Sequence, residues 1–375
     1  MNQDTQRKSV KKKSEPKKWL ASFAHKLSKT KWITLPGALI IVVIALIIAG
    51  TASTVDNLAT TIEEFIEEQT ATPRHPLTGA ALDEPLEILP QVIGIMVENS
   101  ADAWPLAGLN EAFLVIEAPV EGNIPRFISF FSEEDDVDKV GPVRSARPYY
   151  LDWNDELDAV YMHVGGSPEA LDLIKYDYDT IDLNQFFQSE YFYRQTNGRY
   201  APHNVFTSAD HFIASLSELL LDPPAYEPWL FKDDASERGE AKSAFVDMGS
   251  GYGVTWLYDK EVNTYYRFQG TDTRLNGSDI VRMEDGEFVQ ANNVIVIETD
   301  IEVIDAIGRK KIRTRGEGGA RVMQDGIVIE ATWKKETRTD RIRFYDLEGQ
   351  ELAVNAGSTW IQVVSSLENQ LETSE

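Results

Sequence analysis

The chain has 375 residues, room for about two domains and an additional segment. Its 36 Lys and Arg against 61 Asp and Glu give a formal charge of −25, and 42% hydrophobic with 26% charged residues is globular rather than disordered usage. Cysteine is absent, which excludes disulfides, thiolate metal sites, a cysteine nucleophile and a lipid-bearing cysteine.

The charge is divided along the chain. Residues 1–31 carry Arg7 and nine lysines against Asp4 and Glu15, a net +8, whereas residues 51–375 carry −33. Between them Ile33 to Ala52 holds no charge. Twenty apolar residues at about 1.5 Å each span about 30 Å, the thickness of a bilayer core. Basic flanks stay on the cytoplasmic side, so 1–32 reads as a basic cytoplasmic tail and 33–53 as a transmembrane signal anchor. The bulk of the chain is then extracytoplasmic, in a single-pass cell-membrane protein. A cleaved signal peptide ending near Gly50-Thr51-Ala52 is the rival reading, but the apolar run is longer than such peptides use. The acidic exported part repels nucleic acid, so the expected partners are the membrane, through Ile33–Ala52, and an anionic cell-envelope fragment.

Val55, Leu58, Ile62, Phe65 and Ile66 keep helical spacing among glutamates, an acidic stalk over 54–75 that Pro73 and Pro76 end. Next, 76–221 reads as a mixed α/β domain. Strands are expected at Val92–Val97, Ala112–Ile116, Phe127–Phe131 and Asp158–Val164. One helix starts at Ser167-Pro168, with Ser as cap and Pro in first place. Another starts at Thr207-Ser208-Ala209-Asp210 by a capping-box-like pattern. Residues 222–242, rich in proline and then in charge, read as a linker. A mainly β domain follows over 243–366, with strands at Val254–Tyr258, Tyr265–Phe268, Val294–Ile297, Val328–Trp333, Ile342–Tyr345 and Thr359–Val364. Residues 367–375 read as a frayed acidic tail. The fold class is therefore α+β, a mixed α/β domain and then a mainly β one, preceded by one transmembrane helix.

Four segments carry candidate chemistry. In Gly141-Pro142-Val143-Arg144-Ser145-Ala146-Arg147-Pro148, a helix capped by Ser145 places Arg144 and Arg147 at a positive helix end, a seat for phosphate, sulfate or carboxylate. Pairing of both with the abundant carboxylates is the plain alternative. In Glu117-Ala118-Pro119-Val120-Glu121, followed by Arg126, the two glutamates could do acid–base work or form salt bridges. His163, before Gly165-Gly166-Ser167, is either a proton carrier or a buried strand end bonded to backbone. Arg199, His203 and Asn204 form a donor-rich loop before a helix. Metals find little support. The 5 histidines include no zinc spacing. Asp177–Asp182 starts like a calcium loop but lacks its glycine. Gly249–Gly253 lacks the strand–turn–helix context of a nucleotide site. No cofactor is expected.

These blocks resemble the YerB-like family of predicted bacterial lipoproteins, a two-domain family of unknown function. The carrying residues are Pro76-Leu77-Thr78-Gly79, Glu117 to Gly122, Gly141 to Pro148, His163 with Gly165-Gly166-Ser167, Ala201-Pro202-His203-Asn204, and, further on, Asn293–Val296, Thr332–Lys335 and Gly357–Ile361. The resemblance implies the two-domain split and an extracytoplasmic home, and no reaction. Without a cysteine for the lipid, a protein anchor takes its place.

The leading expectation is an envelope ligand-binding module in which Arg144 and Arg147 hold an anion while Arg126, Arg199 and Asn204 line the pocket. In the alternative, an envelope hydrolase or transferase acting on a glycan or phosphodiester, Glu117 or Glu121 is acid or base and His163 or His203 moves a proton. A scaffold for envelope proteins is the third reading.

Overall fold

The computed structural model describes residues 72–374 except 242, 250 and 271–282. The predicted tail, anchor and nearly all of the stalk lie outside the described residues. Among the described residues no helix is long and apolar enough to cross a membrane.

The chain first lays down β1 (Val92–Glu98), β2 (Leu114–Pro119) and β3 (Pro125–Ser132), every residue of which is buried. Such uninterrupted apolar runs belong to strands covered on both faces. Helix α1 (Pro148–Asp155), β4 (Val160–His163), α2 (Pro168–Tyr176), β5 (Asp182–Asn184) and α3 (Ala209–Leu219) follow. The second region supplies β6 (Ser243–Val246), β7 (Gly253–Asp259), β8 (Thr264–Gly270), β9 (Val289–Ala291), β10 (Asn293–Glu298) and the short pair β11 (Ile301–Val303) and β12 (Lys310–Ile312). It ends with β13 (Gly316–Gln324), β14 (Ile327–Lys335), β15 (Arg343–Tyr345), β16 (Thr359–Val364), α4 (Leu367–Gln370) and β17 (Leu371–Ser374).

The mixed α/β and mostly β regions meet in one ten-stranded sheet of order β15-β14-β13-β10-β16-β2-β3-β1-β4-β5. The join is a parallel pairing of β2 with β16, Leu114 opposite Thr359. Helices α1 and α2 cover one face, where Tyr150 and Trp153 pack with Ile116, Ile128 and Ile361. A second sheet, β9-β8-β7-β6-β17, covers the other together with α3. There Trp256 meets Trp360 edge-on at 5.5 Å.

Several expectations change. The tail is not frayed: β17 pairs antiparallel with β6, Leu371 opposite Val246. The expected linker buries Tyr226 and Trp229 and pairs Phe231–Lys232 with Val354–Asn355. Ser167 caps α2 as expected, accepting from Ala170 N at 3.3 Å. Before α3 the capping-box pattern does not form: Thr207 Oγ1 donates to Tyr191 O, and Ser208 Oγ pairs with His211 Nδ1 at 2.7 Å. The cap of α1 is Arg147 rather than Ser145, so Pro148 takes the first helical position, where its missing N–H costs no helical bond.

Candidate functional site

Strands β1 and β4 are parallel, and β1 and β2 both run antiparallel to β3. The carboxyl ends of β1, β2 and β4 therefore open on one edge, where open α/β sheets bind ligands. The segment 142–146 is laid along that edge. Glu98 N donates to Pro142 O at 3.0 Å, Arg144 N to Met96 O at 2.8 Å and Ala146 N to Gly165 O at 2.9 Å. Gly165 has φ +60°, a backbone that L side chains rarely adopt.

Three arginines gather on this frame. Arg147 makes a two-pronged pair with Glu121, Nε to Oε1 at 2.8 Å and Nη2 to Oε2 at 2.7 Å. Burial opposes the charge on Glu121, but the hydrogen bonds and charge of Arg147 outweigh it and hold the carboxyl below its ordinary range. Arg144 Nε stands 3.0 Å from Glu98 Oε1 without pointing at it. Glu98 Oε2 lies 2.8 Å from His203 Nδ1. Arg126, 7% exposed, donates from Nη1 to Ser145 O at 2.8 Å, but its buried Nε has no partner. Among the described residues no carboxylate makes an ion pair with it. Burial, and then the charge of Arg147, lower its pKa from its ordinary value to about 10. Tyr150 Oη fixes the backbone beneath, its single hydrogen shared between Arg126 O at 2.7 Å and Ala118 O at 3.0 Å.

Ser145 joins the group: its Oγ accepts from Arg147 Nη1 at 3.1 Å and is 3.4 Å from Arg126 Nη1. It lines a cavity of about 420 Å³ with Glu121, Arg147, the start of α2 at Gly166–Pro168, and Ile307 and Arg309. The last two come from the tip of the β11–β12 hairpin, where Asp305 accepts from the N–H groups of residues 307, 308 and 309. The start of α2, the Arg147 cap of α1 and Arg309 thus line one hollow, with Arg126 behind Ser145, an arrangement suited to an anion.

The other sequence candidates are placed elsewhere. Glu117 is opposite Phe127 in register while Ala118 is opposite Arg126, so Glu117 and Arg126 lie on opposite faces of the sheet. Glu117 is fully buried. It accepts from Arg267 Nη2 at 2.8 Å and from Trp360 Nε1 and Gln362 Nε2 at 3.0 Å each. Burial pushes its carboxyl up and the Arg267 guanidinium down, against their mutual attraction. His163 is sealed between Asp182 and Gly165 O and stacks on Tyr161. Asn204 is buried and accepts from Arg194 Nη1 at 2.9 Å. Arg199 spends both arms on the carbonyls of Ala103 and Pro105. Of the predicted acid–base set Glu121 and His203 are only part-buried, and His203 is paired on one ring nitrogen. It lines a second cavity of about 460 Å³ with Trp104, Asn197 and Tyr200.

Glu98, Ser145 as a hydroxyl rather than a cap, and Arg309 were not singled out as site residues. A charged residue ending the apolar run Val92–Val97 was the available signal for Glu98. Arg309 lies more than 160 positions beyond Ser145, and nothing local marks it.

Residues 77–221 match the family described as protein of unknown function (DUF3048), N-terminal domain, and residues 244–361 match its C-terminal domain. "Putative lipoprotein YerB" of Bacillus subtilis is 30% identical over 300 residues, covering 78% of this chain and 86% of that one. A crystal structure of the YerB protein from Bacillus subtilis superposes with a TM-score of 0.70 at 29% identity, covering 80% of this chain and 99% of that chain. Both halves, in the same order and with the same fold, place the chain in the YerB-like family of proteins of unknown function.

Proposed function

We propose that this protein is a membrane-attached binding module of the cell envelope whose ligand carries a phosphate or carboxylate. The observation that carries the reading is Arg126, a buried guanidinium without a carboxylate partner, behind a serine that lines a cavity. A buried cation without a counter-charge is costly, and an anion in that cavity relieves the cost. Arg147 and Ser145 contact the anion, and Arg126, which makes no ion pair among the described residues and acts on Glu121 only at a distance, adds its charge from behind Ser145. The acidic remainder of the chain excludes bulk polyanions. The lipoprotein name of the Bacillus subtilis relative supports a location at the membrane and outside the cytoplasm; the basic tail inside and residues 33–53 as the anchor rest on the charge and apolar pattern of the sequence alone.

Binding is favoured over hydrolysis because Glu117 and His163 are sealed and Glu121 is committed to Arg147. The test is mass spectrometry of envelope fragments incubated with the protein and with an Arg144→Ala/Arg147→Ala variant. Acidic fragments retained unaltered by the parent and not by the variant support the reading. Fragments altered by the parent alone would make it an enzyme. No retention at all would leave the scaffold.

A further inference from the structure

The second cavity has no role in the anion reading. We propose that it is a sugar-binding subsite, taking a neutral hexose-type ring or a short run of them.

Its volume of about 460 Å³ is within the range of small-ligand cavities. Two aromatic rings line it. Tyr200 is 82% exposed, and its hydroxyl has no partner among the described residues. Trp104 is held in place: its Nε1 donates to Asn99 Oδ1 at 3.0 Å, and Tyr252 meets it edge-on at 6.1 Å. Rigid aromatic faces cover the apolar C–H face of a sugar ring at low entropic cost.

The polar lining suits hydroxyl groups rather than charges. Asp102 and the Asn197 amide have no partner among the described residues. His203 is fixed through Nδ1 by Glu98, and its Nε2 likewise has no partner among the described residues. In the neutral ring, with Nδ1 donating to the carboxylate, Nε2 is an acceptor; in the charged ring it is a donor. Together these groups offer acceptors and an amide donor, the mixture that hydroxyls, each donor and acceptor, can satisfy. The one arginine of the lining, Arg199, is spent on two carbonyls, and Glu284 is spent on Lys139. Among the described residues of the lining no free cation remains to hold a phosphate, and Asp102 repels one. This separates the subsite from the arginine cavity, with which it shares no lining residue; Glu98, which lines neither, places one oxygen toward Arg144 and the other toward His203.

The experiment titrates the full chain, in a detergent without a sugar head group, with neutral tetramers of glucose and of N-acetylglucosamine, followed by calorimetry and tryptophan fluorescence. Saturable binding with a change in emission is expected for at least one tetramer. Tyr200→Ala, which removes an exposed ring and leaves the thermal melt unchanged, lowers the affinity about tenfold. Asn197→Ala lowers it less, and Arg147→Met leaves it unchanged. Absence of saturable binding by either tetramer, or binding that survives Tyr200→Ala, overturns the proposal. Binding lost in Arg147→Met and kept in Tyr200→Ala also overturns it, by placing the sugar in the arginine cavity. None of these outcomes bears on whether that cavity binds an anion.

Discussion

Replacing Arg126 by methionine keeps most of the apolar stem and removes the charge. The folded protein lowers the pKa of this guanidinium from its ordinary value to about 10, and at about 1.4 kcal/mol per tenfold that is about 3 kcal/mol held against the charged form. Since the depressed pKa belongs to a base, the penalty is present at every pH below about 10 and is relieved only as the pH rises through that value. Against this stands the loss of the hydrogen bond to Ser145 O at 2.8 Å and the longer approach to its Oγ at 3.4 Å, together about 1–2 kcal/mol. Arg126→Met should therefore stabilise the ligand-free protein by about 1–2 kcal/mol. For a chain of this size that raises the melting temperature by about 2–6 °C. Urea unfolding at pH 7 measures it, with an unchanged slope showing that the denatured state is the same. Added phosphate should stabilise the parent and not the variant, because only a ligand of the folded state shifts the transition. A variant destabilised by about 2 kcal/mol or more would refute the reasoning, since Arg126 would then be a satisfied structural cation.

Glu121→Gln should cost about 1 kcal/mol at pH 7, the worth of a partly exposed two-pronged pair. Because the folded Glu121 carboxyl is held below its ordinary range, that stability is present above the ordinary range and lost as the pH falls through the depressed value, so the gap between parent and variant in urea melts should narrow as the pH is lowered. Glu117→Gln leaves Arg267 buried against a neutral amide and should cost about 3–5 kcal/mol, read by thermal melting, while the affinity for phosphate is unchanged wherever the protein remains folded. Gly94→Ala places a Cβ 2.3 Å from Asn154 Oδ1 and 3.1 Å from Phe130, which should push α1 off the sheet at a cost of about 2–3 kcal/mol, measured as a lowered urea midpoint.

Local pattern carried much of the fold. The run Thr359–Val364 coincides with β16, and Ser167-Pro168 starts α2 by the physics of capping. Strand β13 was invisible because Gly316, Gly318 and Gly319 have poor strand propensity. Pairing on both sides, with β10 and β14, makes it a strand. The last residues looked unstructured because their composition is acidic, yet β6 offers them an edge. In the site, Arg144 and Arg147 were legible from spacing next to a proline. The face on which Glu117 lies was not. Ile116, Glu117 and Ala118 are all buried, so alternation carries no sign, and only the register with β3 assigns the glutamate to the side of Trp360. The approach of Arg309 to Ser145 likewise depends on tertiary packing alone.

The claim that an oxyanion occupies the arginine cavity is tested most directly by anomalous diffraction from crystals soaked in selenate. A selenium peak is expected within hydrogen-bond reach of Ser145 Oγ and the Arg147 guanidinium, and is expected to be lost in Arg126→Met. Peaks confined to other surfaces, with this cavity empty in the parent protein, would contradict it.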